Sequence, residues 1–333
     1  MQAIRRILVA IKNPKARSLP AVVKAAQLAR ALGAEMELFH AIDAPLYLDV
    51  TDFRGGQSVK QLESDWRKQR LRQLDRAAGR VSDAGLKVTT AVEWDYPSYA
   101  AVIRRARQIR ADLIVAERHA GRHIVPWLLH MTDWELLRLS PIPVLIVKSR
   151  RPYRRPVVLA AVDPSHAFAK PGRLDDEILR LGGAVTDAMH GTLRALHACA
   201  LPLPVGMPPA AWTSGKMKAV DIRAEIEAEA MAQARPAFDR VLKSADIPRS
   251  RRHLLARHPI DAIPDVARKT RSAIVVMGAV SRSGLKSVFI GNTAERVLDR
   301  LQCDLIVVKP LRFETRVPRA VRGVRIAAAA PLP

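Results

Sequence analysis

The chain of 333 residues carries one pattern twice, and this repeat limits its fold more than any other feature. "VLIVK" ends at Lys148 and "LIVVK" ends at Lys309, 161 positions apart. Thr132 and Thr293 keep the same spacing, as do "DLIV" from Asp112 and "AIVV" from Ala273. Features that share one spacing without gaps mark a duplicated supersecondary unit. Each copy alternates short apolar runs with helical periodicity. In the first copy the strands are "RILVAI" (6–11), "EMELFHAI" (35–42), "KVTTAVEW" (87–94), "DLIVAE" (112–117) and "PVLIVKS" (143–149). Helical patterns at 20–32, 58–83, 98–110 and 133–139 separate them. The second copy repeats the order, with strands at 156–163, 192–200, 252–257, 273–278 and 304–310. Such alternation predicts an α/β fold, a parallel sheet covered by helices on both faces, in two tandem domains. The domains are expected at 1–150 and 151–310, joined through "SRRPYRRP" (149–156). Residues 311–333 show no periodicity and are expected to be a basic, disordered tail.

The formal charge is +23, from 55 Lys and Arg against 32 Asp and Glu. It invites a polyanion as partner, but the basic residues are spread along the chain with no block interleaved with aromatics. A basic, solvated surface is the expectation, and nucleic-acid binding is disfavoured. Cys199 and Cys303 sit in or beside apolar runs without metal-type spacing and read as buried free thiols of a reducing compartment. No apolar run approaches the ~20 residues that a membrane-spanning helix needs. The first residues do not read as a signal peptide, so a cytoplasmic protein without a membrane partner is expected.

The stretch "VVMGAVSRSGLKSVFIGNTAERVLDRL" (275–301) holds the most chemistry. A strand delivers the chain to Gly278 at the carboxyl edge of the sheet, where open α/β sheets bind ligands. Gly278, Gly284 and Gly291 permit positive φ and close approach of a ligand to the backbone. Asn292 or Thr293 can cap the helix that follows, whose first-turn N–H groups favour an anion. Arg282 and Lys286 add charge. A phosphate cradle and a plain turn with a capped helix are equally compatible with this spacing. Neither a P-loop nor the G-x-G-x-x-G dinucleotide pattern is present.

These residues resemble the signature of universal stress proteins, Gly-x2-Gly-x9-Gly-Ser/Thr. The match is Gly278, then Ser281 in place of the second glycine, then Gly291, with Asn292 where Ser or Thr is usual and Thr293 next. Residues 1–310 resemble the tandem, two-domain members of universal stress protein E type, most clearly at 277–310 and 132–148. The resemblance implies two Rossmann-like domains of the adenine-nucleotide alpha-hydrolase-like kind, each with a five-strand parallel sheet of order 3-2-1-4-5. It also implies domain pairing through the last strands, within one chain as a pseudo-dimer or between chains as a homodimer. Single-domain relatives fall into ATP-binding and non-binding groups. Binders use the glycine loop for phosphates and ribose, and an Asp ending the first strand, which here matches Asp163. The site implied is thus Asp163, Ala198 beside the base, Met277, Gly278, Ser281, Arg282, Gly284, Gly291, Asn292 and Thr293. ATP or another adenine nucleotide is its ligand, with Mg2+ as companion. Ser281 narrows the space for phosphate.

The first copy differs. The spacing of 161 sets Glu117 against Gly278, Ala120 against Ser281, His123 against Gly284 and His130 against Gly291, and Lys12 aligns with Asp163. A carboxylate opposes phosphate, so the nucleotide is expected in the second copy alone. The first copy is expected to have filled the equivalent space with side chains and to serve packing, partner binding or a different ligand. His119, His123 and His130 read as loop histidines and not as a metal site. His40 and His197, ending equivalent strands, read as packed, hydrogen-bonded residues, and Trp127 and Trp134 as packing. The loop 201–216 reads as a lid or a spacer. No Ser/His/Asp order stands out. The expected function is a stress-response protein that binds an adenine nucleotide and acts through conformation or partners, with at most slow hydrolysis. A nucleotide-independent protein-interaction module is the alternative, and nucleic-acid binding a weaker one.

Overall fold

The computed structural model describes residues 4–48, 58–82, 85–118, 132–164, 173–200, 219–279 and 292–328. The chain forms two compact units. Unit 1 comprises Met1–Tyr153 with Arg312–Pro333, and unit 2 comprises Arg154–Leu311.

Unit 1 contains β1 (Arg6–Ala10), α1 (Pro20–Leu32), β2 (Glu35–Ile42), β3 (Leu46–Leu48), α2 (Val59–Gly79), β4 (Val88–Trp94), α3 (Ser98–Gln108), β5 (Leu113–Glu117), α4 (Thr132–Leu139) and β6 (Val144–Val147). Its ladders are all parallel: β4 pairs with β2, β2 with β1, β1 with β5 and β5 with β6. Ile7, Leu8 and Val9 of β1 are fully buried, as a central strand covered on both faces requires. Sequence punctuation sets the helix bounds. Pro20 opens α1, and Gly33 closes it at φ +64°, a conformation glycine adopts without penalty. Ser58 and Gln61 cap α2 reciprocally, each side chain accepting from the other's backbone N–H. Tyr153, the last residue before the switch of units, is held by paired hydrogen bonds with the Gln27 side chain, 2.9 and 3.1 Å.

Unit 2 contains β7 (Val157–Ala161), α5 (Leu174–Ala188), β8 (Thr192–Ala198), α6 (Ala219–Leu242), β9 (Arg252–Leu255), α7 (Pro259–Lys269), β10 (Ile274–Gly278), α8 (Asn292–Arg300) and β11 (Asp304–Val308). Here β9 pairs with β8, β8 with β7, β7 with β10 and β10 with β11, again all parallel. The repeat reaches the backbone conformation. Arg110 and Arg271, 161 apart, both take left-handed φ, 52° and 51°. At the same joints Ala111 N bonds Ala106 O and Ser272 N bonds Ala267 O, each at 2.8 Å.

The segment after Leu311 departs from expectation. It does not behave as a disordered tail: β12 (Ile326–Ala328) pairs in parallel with β3 inside unit 1. Its anchor is buried charge. Asp95 is 0% exposed and accepts from Arg104 Nε at 2.6 Å, from Tyr96 N at 2.9 Å and from Arg322 N at 3.0 Å. Arg104 also donates to Pro318 O at 3.2 Å. Arg325 bonds the Asp43 carboxylate at 2.9 Å, and the guanidinium groups of Arg322 and Arg325 lie 5.4 and 4.5 Å from the Tyr96 ring centroid. No helix among the described residues is long and apolar enough to cross a membrane.

Candidate functional site

Strand register decides which candidate residues meet. In unit 2 Ala161 pairs with Met277 on one side and with Leu196 on the other. Asp163, Ala198 and Gly278 therefore leave three adjacent strands at the same carboxyl edge, and all three are half-buried. Met277 is 5% exposed, so its side chain belongs to the core. Asn292 and Thr293 are the first two residues of α8, the helix that follows β10. Ser281, Arg282, Gly284 and Gly291 lie outside the described residues, as do His119, His123, His130, Trp127 and the 201–216 loop. Trp134 lies on α4 and is half-buried.

Gly278 has a role the sequence reading missed. Its φ is not positive. A Cβ there would stand 2.7 Å from Leu174 Cδ2 and 3.4 Å from Ile178 Cδ1. The glycine lets the first turn of α5 pack over the end of β10, and ligand access is not needed to explain it. The same turn reaches β7, where Asp163 N donates to Asp175 Oδ1 at 3.0 Å.

Unit 1 overturns an expectation. The side chains of the described residues do not fill the equivalent space: a hollow of about 580 Å3 opens at the carboxyl edge. Ala10, Phe39 and Ala116 from the ends of β1, β2 and β5 line it, with Ala21 and Val22 of α1 and Trp66 and Arg70 of α2. The helices that follow the first strands differ in side-chain size at their first turns. The first turn of α5 carries Leu174 over β10, whereas α1 opens with Pro20, Ala21 and Val22. Glu117 and Lys12 both line the hollow, where the repeat places them.

The electrostatics of the hollow are specific. Asp43 is engaged: Ser98 donates to it from N and Oγ at 2.9 and 2.7 Å, and Arg325 adds an ion pair at 2.9 Å. Burial pushes the Glu117 carboxyl above the usual carboxylate range, against the opposing pull of Arg150. His40, 8% exposed, bonds the Ile11 carbonyl through Nδ1 at 2.8 Å, so that nitrogen carries the proton. Burial holds its pKa below the ordinary imidazole value, the Ile11 hydrogen bond opposes that, and Arg70 lowers it further. His197 makes the equivalent contact to Val162 O at 3.2 Å, and it is 1% exposed. Both histidines are thus packed and bonded, as their strand-end positions suggest. Cys199 and Cys303 form no disulfide among the described residues, and both are half-buried. Among the described residues no group of three or more His, Cys, Asp and Glu is placed to hold a metal.

Comparison with known proteins agrees with this architecture. The universal stress protein family matches residues 3–148 and again 158–309. Universal stress protein E of Escherichia coli K12 is 27% identical over 329 residues, covering 95% of this chain and 98% of that protein. The Photorhabdus laumondii protein of the same name is 24% identical, covering 94% and 98%. Among solved structures, the functionally unknown protein PA1789 of Pseudomonas aeruginosa PAO1 superimposes with a TM-score of 0.67 at 24% identity, covering 93% of this chain and 94% of that one. A universal stress protein of Archaeoglobus fulgidus gives 0.60 at 15% identity, covering 93% and 99%.

Proposed function

Because the chain belongs to the universal stress protein family, we propose that it is a stress-response protein whose second unit binds an adenine nucleotide and which acts through conformation or partners. The observation that carries this reading is the register that brings Asp163, Ala198 and Gly278 to one carboxyl edge, with α8 the next helix after Gly278. Asp163 and Asp175 put carboxylates at the β7 side of that edge. Phosphates therefore belong toward α8, whose first-turn N–H groups favour anions, and the base belongs toward Ala198. Mg2+ would accompany ATP as its complex. The pairings within each unit support the 3-2-1-4-5 order that family resemblance implies.

One observation favours the alternative of a nucleotide-independent interaction module: Leu174 and Ile178 occupy the place a ligand would take over Gly278. Calorimetric titration of the whole protein with Mg·ATP separates the two. Saturable heat that Gly291→Asp abolishes supports the nucleotide reading. Absence of binding, with no nucleotide carried through purification, leaves the interaction module.

A further inference from the structure

The hollow of unit 1 lacks both the glycine loop and the strand-end Asp expected of a nucleotide site, yet it is open and has its own chemistry. Its volume, about 580 Å3, lies within the ~300–1,000 Å3 of small-molecule sites. The charges are sorted by side. Glu117 and Asp133 stand on β5 and α4, toward one edge of the sheet, whereas Arg70 comes from α2 beside β2 and β4. Lys12 leaves the central strand between them.

Two cations there have no carboxylate partner among the described residues. Lys12 is exposed and makes no ion pair among the described residues. Among the described residues the one hydrogen bond of Arg70 is a 3.3 Å contact to the Gln73 amide oxygen, and its Nε is buried without a hydrogen-bond partner. The other nearby carboxylate, Asp43, is neutralised by Arg325. Beside Arg70 lies an aromatic surface: Trp66 is 40% exposed, its ring 5.5 Å from the Arg70 guanidinium carbon and 6.3 Å from the Trp94 ring. A buried guanidinium N–H without an acceptor is costly unless an incoming acceptor meets it. A half-exposed indole offers a flat apolar face to a ring.

We infer that the unit 1 hollow binds an aromatic anion, a flat apolar body carrying a carboxylate, sulfonate or phosphate, with its charge on Lys12 and Arg70 and its ring on Trp66. This site is separate from the nucleotide edge of unit 2 and does not depend on it.

The test uses the full chain and two dyes of matched shape. 1-Anilinonaphthalene-8-sulfonate carries the anion, and N-phenyl-1-naphthylamine lacks it. Fluorescence titration should show saturable binding of the sulfonate dye and binding of the neutral dye at least tenfold weaker. Lys12→Met, at an exposed position, should weaken the sulfonate dye about three- to tenfold and Arg70→Met about tenfold or more, both leaving the neutral dye unchanged. Ala16→Trp, in the half-exposed loop after β1, should fill the hollow and remove both dyes, whereas Gly291→Asp should affect neither. Equal affinity for the two dyes, wild-type affinity in both cation variants, or full binding in Ala16→Trp would overturn the assignment.

Discussion

Replacing Asp95 by Asn tests the returning tail most directly. The side chain is fully buried, and its carboxylate accepts from three N–H groups, including Arg104 Nε at 2.6 Å, and forms an ion pair with Arg104 Nη2 at 2.5 Å. Arg104 is 7% exposed, and its remaining contacts are the carbonyls of Pro318 and Tyr96 at 3.2 and 3.4 Å. Asparagine keeps the shape but removes the charge and turns an acceptor into a donor that faces donors. Orphaning one partner of a buried ion pair costs about 3–5 kcal/mol. At about 2–4 °C per kcal/mol for a body of this size, unit 1 should melt roughly 6–20 °C lower. Arg322 N also loses its anchor, so trypsin should cut at Arg316, Arg319, Arg322 and Arg325 well before it cuts elsewhere in unit 1. Circular dichroism melts and timed proteolysis with mass spectrometry read both effects. The companion change Arg104→Met should restore part of the lost stability, because no charge is then left buried alone. Melting within about 1 °C of wild type, with the tail cut at an unchanged rate, would refute the role given to this cluster.

Two further outcomes follow from geometry. Gly278→Ala places a methyl group 2.7 Å from Leu174 Cδ2, and overpacking of this kind should cost about 1–3 kcal/mol in chemical denaturation. Leu174→Ala in the same chain should relieve it, and additive losses in the pair would contradict the contact. Glu117 has its pKa raised on folding, so the folded form holds the proton more tightly than the unfolded one. Its favourable contribution is present at low pH and is lost as pH rises through the raised value. Glu117→Gln should therefore stabilise unit 1 at neutral pH and leave stability unchanged near pH 3.5, below the ordinary carboxylate value of about 4.3. Stabilisation that is equal at both pH values would show that desolvation of this carboxyl is not the cause.

The parts of the fold readable from sequence are those written as local periodicity and punctuation. Pro20 and Gly33 bound α1 as the pattern predicts, and "EMELFHAI" is β2 to the residue. What escaped depends on contacts distant in sequence. Strands β3 and β12 have three residues each, too few to carry a period, and they form a ladder only because residues 280 positions apart meet. The tail reads as featureless because its partners, Asp43 and Asp95, are far upstream. Arg104 interrupts an otherwise apolar helix face, and that was the available hint that a buried acid awaited it. The basic excess likewise concealed structure: Arg105 bonds Glu37 and Glu93 at 2.7 and 3.0 Å, so part of the positive charge is internal scaffolding and not solvated surface. At the candidate site the aligned positions of Lys12 and Glu117 were legible. The hollow between them was not, since it is lined by side chains from several strands and helices distant in sequence.

The union of β3 with β12 has a consequence for how the chain is made. The residues that complete the first-synthesised unit leave the ribosome only after the whole of unit 2 has been made. Until then the Asp95–Arg104 pair lacks its backbone donor at Arg322, and the nascent amino-terminal half must wait unfinished while its twin is translated. Chain continued past Ala328 therefore leaves from unit 1, and not from unit 2 as linear order suggests.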